Sequence, residues 1–109
     1  MNTEKSKKPL EIKKYGFQDH NPGDNDIITF TDLHQTAEAL SAKRNKTGFI
    51  TITILVDHNF LPIPRDKHFL YVKAGTPIKF ERKRLIFIES FSVIESSGNE
   101  TYRHLFEIK

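Results

Sequence analysis

At 109 residues, with 37% apolar and 28% charged side chains, the chain can bury one hydrophobic core and has no material for several. It has no Cys, which excludes a disulfide framework and thiolate chemistry, and no apolar run nears the ~20 residues of a membrane-spanning helix. The net charge of +3 is modest, the first residues lack a signal peptide's apolar run, and a cytoplasmic protein is the expectation.

In chain order, residues 1–25 read as a flexible basic and polar tail. Lys dominates its start, and Leu10, Ile12, Tyr15 and Phe17 are too sparse to demand burial. Leu10 and Ile12 alternate with Glu11 and Lys13, which allows a short edge strand there. His20 to Asn25 is a turn cluster, because Pro22 fixes φ while Gly23 and the Asn residues tolerate positive φ. A single globular domain is expected over 26–109.

Ile27 to Phe30 reads as a short strand. Asp32 then N-caps a predicted helix, with Gln35 placed three residues on as in a capping box. Leu33, Ala37 and Leu40 fall on one helical stripe, Lys43 and Arg44 suit the last turn, and Asn45 and Gly48 end it.

Gly48 to Asp57 carries the strongest strand signal. Ile50, Ile52, Ile54 and Val56 share one face, and Phe49, Thr51, Thr53 and Leu55 share the other. His58 to Lys67 is a loop, since Pro62 and Pro64 lack the amide donors of a central strand. His68 to Lys73 is a strand ended by the turn Ala74 to Pro77. Pro77 to Glu95 is expected to form a β-hairpin whose tip is Glu81-Arg82-Lys83-Arg84. Ser96 to Glu100 is a turn. Thr101 to Ile108 closes the sheet, with Tyr102, His104, Phe106 and Ile108 on the apolar face.

The fold class this implies is α+β. A curled antiparallel sheet of about five strands, open or closed into a small barrel, would carry one short helix and the N-terminal tail.

Charge is unevenly spread. Residues 15–42 hold five acids and no Lys or Arg, whereas residues 43–84 hold ten basic and three acidic residues, a net of +7. Such a segment suits a polyanion, because each phosphate contact releases counterions. A small non-enzymatic protein that binds single-stranded DNA or RNA is the leading reading. Lys43, Arg44, Lys46, Arg65, Lys67, Lys79, Arg82, Lys83 and Arg84 would contact phosphates, and Tyr71 would stack on a base. No RNP aromatic motif, GXXG loop or Cys/His finger accompanies them.

The alternative is a protein-interaction module, an adaptor or inhibitor. It would dock through the apolar Pro loop, by Phe60, Leu61 and Ile63, or through a sheet edge. The same loop could instead close over the sheet as a core lid. A third reading is a small metal-dependent enzyme using His58, His68 and His104, with Asp57 and Asp66 nearby. Their spacing matches no metal motif, and the chain has no P-loop, GxGxxG, GxSxG or HExxH. The sequence therefore assigns no catalytic residue, no metal and no cofactor. Nucleic acid and protein are the partner classes it supports, and a membrane is not.

Overall fold

A computed structural model of the chain describes residues 9–109. They form seven strands: β1 (Leu10–Gln18), β2 (Asp26–His34), β3 (Glu38–Arg44), β4 (Phe49–Asp57), β5 (Pro64–Lys73), β6 (Leu85–Ile94) and β7 (Glu100–Ile108). The described residues hold one 3-10 turn, Arg82–Arg84, and no α-helix. The strands lie in two antiparallel sheets, ordered β1-β4-β3 and β2-β5-β7-β6, and neither closes into a barrel. The expected α+β class is thus corrected to an all-β one.

The predicted helix is the central correction. Its residues split between the end of β2, a short turn and β3. Asp32, the expected cap, sits instead at a register shift between Phe30 and Leu33, with φ +59°. An Asp accepts that left-handed conformation better than most residues. Leu33 and Ala37 are buried as a helical stripe would bury them, but Leu40 is exposed. The stripe was too thin to hold a helix against tertiary pairing. Ala39 and Ala42 pair instead with Ile54 and Ile52 of β4, where small side chains leave room for the large ones.

β4 is the middle of its sheet and the centre of the core. Ile50, Ile52, Ile54 and Val56 are 2% exposed or less, and each contributes about 1.5–3 kcal/mol of burial. Opposite them stand Phe69, Tyr71, Phe91 and Leu105 of the second sheet. The two layers also meet edge to face, Phe17 against Tyr71 at 5.3 Å between ring centres.

The segment expected to be a tail supplies β1, which pairs with β4 from Leu10↔Asp57 to Gln18↔Phe49. Tyr15 and Phe17 pack on the core. The fold therefore starts sixteen residues ahead of Asp26, and only residues 1–8 of the predicted tail lie outside the described residues. β1 can look sparse because it is an edge strand with one face on the core.

The expected hairpin at Pro77–Glu95 is also replaced. β5 and β6 both run antiparallel to β7 and flank it, so they are parallel to one another. Parallel strands need a crossover that returns along the sheet. Residues 74–84 are that crossover, and only β6 of the supposed pair is a strand. Asn25 clamps it by donating from Nδ2 to the Pro77 carbonyl (3.1 Å) and accepting at Oδ1 from the Lys79 N–H (3.0 Å). The loop after β4 is shorter than expected, because β5 already begins at Pro64, a first-residue position that proline tolerates. In β7 the apolar face was assigned the wrong way round: Arg103 and Leu105 point into the core, at 2% and 0% exposure.

Candidate functional site

The register of the sheets decides what the basic residues can do together. Arg44 pairs with Ile50 at one end of the sandwich, where the chain turns through Asn45 to Gly48. Lys43 and Lys46 are exposed close to it, and the Lys79 backbone is bound to Asn25 before β2. Arg65 pairs with Leu33 at the opposite end. There the Arg84 carbonyl accepts from the Lys109 N–H, which brings Arg82 to Arg84 to the same end. The expected single basic face is therefore divided into two groups at the two ends.

Several of these cations already have partners. Lys67 is paired with Glu107, and Arg44 Nε donates to Asp19 Oδ2 at 3.2 Å. Tyr71 is 2% exposed and lies in the core, so its ring offers no stacking surface. Arg65, Arg82, Lys83 and Arg84 remain exposed.

The histidines are parted as well. His58 bonds Glu11 Oε1 (2.6 Å) on the three-stranded sheet, and that hydrogen bond holds the Glu11 carboxyl below its ordinary value. His68 Nδ1 shares a hydrogen bond with Thr29 (2.9 Å), and His104 Nδ1 with Ser90 (2.7 Å), both on the four-stranded sheet. Among the described residues, no three His, Asp or Glu gather to hold a metal.

The Pro loop is the feature that stands out. Phe60, Leu61 and Ile63 are 57%, 72% and 45% exposed, so the loop does not close over the core. Its backbone is nonetheless fixed. Gln35 Nε2 donates to the Leu61 carbonyl (2.7 Å), and the Ile63 N–H donates back to that same oxygen (2.8 Å). His34 Nδ1 accepts the Thr36 N–H (3.1 Å), which leaves the proton on Nε2 to donate to the Phe60 carbonyl (3.1 Å). The turn that replaced the helix thus holds the loop.

No family model, curated protein or solved structure matches this chain.

The geometry accordingly carries the functional reading alone. It shows a hydrogen-bonded loop backbone, exposed apolar side chains and Arg65 immediately after Pro64.

At the other end lies a polar cluster that sequence reasoning missed. The Asp19 carboxylate accepts from Tyr71 Oη (2.7 Å), from Arg44 Nε and from the Asn21 N–H (2.9 Å), with Arg103 Nε at 3.4 Å. Burial works to raise the Asp19 carboxyl, but these hydrogen bonds and the Arg103 charge outweigh it, and it lies below its ordinary value. Burial, then the hydrogen bond to Asp19 and the charge of that carboxylate, push the Tyr71 hydroxyl well above its own ordinary value. The available signal was Arg103 in phase with Leu105 on β7, an arginine on a core face that demands a buried acid.

Proposed function

We propose that this protein is a non-enzymatic interaction module that docks on a protein partner through Phe60, Leu61 and Ile63. The exposure of three adjacent large apolar side chains on a hydrogen-bonded loop carries the reading. A surface of this kind costs stability and solubility unless something covers it. Pro62 and the bonds from Gln35 and His34 fix the loop beforehand, which lowers the ordering cost of association. Arg65 and the Arg82–Arg84 turn border the same end, so the fitting partner presents an apolar groove with an acidic rim.

The test compares the wild type with Phe60→Ser and Leu61→Asp as baits in the source lysate, with captured proteins identified and quantified by mass spectrometry. The reading expects a specific protein that is retained by the wild type and lost in both variants at unchanged melting temperature. Equal capture by all three baits overturns it.

A second reading, binding of a single-stranded nucleic acid, is favoured by the exposed run Arg82-Lys83-Arg84 with Arg65 nearby. A labelled oligonucleotide titrated at two salt concentrations separates the two readings. Binding that falls steeply with salt and is lost in an Arg82→Gln, Arg84→Gln variant supports the second reading.

A further inference from the structure

The end of the sandwich away from the Pro loop holds a cleft of about 720 Å³. The β1–β2 loop contributes Asp19, His20 and Asn21, β3 contributes Arg44, β7 contributes Arg103, and the β6–β7 turn contributes Ser96 and Ser97. Two guanidiniums therefore meet one carboxylate. Among the described residues the one other acid lining the cleft, Glu95, is already paired with Lys73 at 3.1 Å. The cleft keeps an excess of one positive charge.

Arg103 shows the same imbalance in its hydrogen bonds. Its side chain is 3% exposed, and Nη2 donates to Asn21 Oδ1 (2.7 Å). Nε and Nη1 are buried and complete no hydrogen bond among the described residues. A buried donor without a partner is costly, and native proteins seldom leave one without a water or an ion. Asp19 Oδ2 lies 3.4 Å from Nε without completing a hydrogen bond, and Nη1 has no hydrogen-bond partner among the described residues.

We infer that this cleft is a binding site for a small oxyanion of the phosphate class, with Arg103 and Arg44 as its cationic wall and Ser96 and Ser97 at its mouth. The ligand supplies several acceptor oxygens where the protein has surplus donors, and its charge offsets the uncompensated guanidinium. A planar arginine fork suits such a group better than a lysine would. Asp19 positions both guanidiniums and does not touch the anion.

Inorganic phosphate is the probe, titrated calorimetrically against the full chain with chloride at matched ionic strength as the control. Saturable binding specific to phosphate is expected. Arg44→Gln should weaken it about tenfold or more, the loss of a charge-assisted hydrogen bond. Ser96→Ala with Ser97→Ala, exposed positions that do not bear on the core, should weaken it severalfold. Arg103→Met tests the buried side where near-UV circular dichroism shows the fold intact; if it unfolds, Arg44→Gln decides. Absence of saturable phosphate binding overturns the proposal, as does equal affinity in the wild type and Arg44→Gln. Either result would mean that a water alone serves Arg103.

Discussion

At the scale of single residues, Asp19 is the side chain on which most depends. It lies just past the end of β1 and ties together β3, β5 and β7 through Arg44, Tyr71 and Arg103. Asp19→Asn keeps the size and removes the charge, leaving a buried arginine uncompensated. The expected cost is about 3 kcal/mol at pH 7, read from urea unfolding. The pH dependence has a definite sign. The folded carboxyl titrates below its ordinary value of 3.8, so its stabilisation is full above that value. It is lost as pH falls through the lower, folded value. The gap between wild type and Asp19→Asn should therefore be constant from pH 7 to 5 and close in stronger acid. A gap that stays constant down to pH 2 would show that the charge is not what Asp19 contributes.

At the scale of elements, β1 is held by an aromatic side chain lying over a glycine. The Phe49 ring covers Gly16 on the outer face of the three-stranded sheet, and a Cβ at Gly16 would fall 2.4 Å from it. Such a ring shields an edge-strand glycine from water and fixes the strand's register. Gly16→Ala should cost about 1–2 kcal/mol through overpacking. In a Phe49→Ala background the cost should drop by at least half, leaving the Ile50 carbonyl at 3.0 Å as the remaining obstacle. Additive effects in that double-mutant cycle would refute the packing argument. The same pair shows why β1 was hard to read from sequence. Its apolar residues are few because half its cover comes from β4. β4 itself was fully legible, since eight alternating strand-forming residues admit no other period. The helix was misread because Leu33 and Ala37 are buried in either geometry, and the choice was made by Ile52 and Ile54, residues far outside the window. The Pro loop could be located from its prolines, but its exposure depended on Gln35 and His34, which were assigned to that helix. Asp19 and Arg103 were invisible as a pair because 84 positions separate them along the chain and only the sheet order brings them together.

At the scale of the whole molecule, the topology sets how the chain folds. β1 pairs Leu10 with Asp57 and β2 pairs Ile28 with Phe69, so most sheet pairings close long loops. Folding should therefore take milliseconds to seconds, as for other all-β domains, and not microseconds. The β3–β4 and β6–β7 hairpins are the two local exceptions, and the second carries two core residues of the four-stranded sheet. In the second, Ile94 pairs with Glu100 across a turn in which Gly98 holds φ +87°. It closes with little loss of chain entropy, and it places Phe91 and Leu105 ready for the core. The β6–β7 hairpin is the expected nucleus, and β1 is expected to dock late. Gly98→Ala strains the turn by about 1–2 kcal/mol, and most of that should appear as slower folding. Tyr15→Ala, which removes a β1 contact with Phe30, should leave the folding rate nearly unchanged and speed unfolding. Stopped-flow chevrons of the two variants give the answer. If Tyr15→Ala slows folding and Gly98→Ala only hastens unfolding, then β1 and β4 pair first. The sandwich would then be built from its three-stranded side, and the segment that looked like a tail would start the fold.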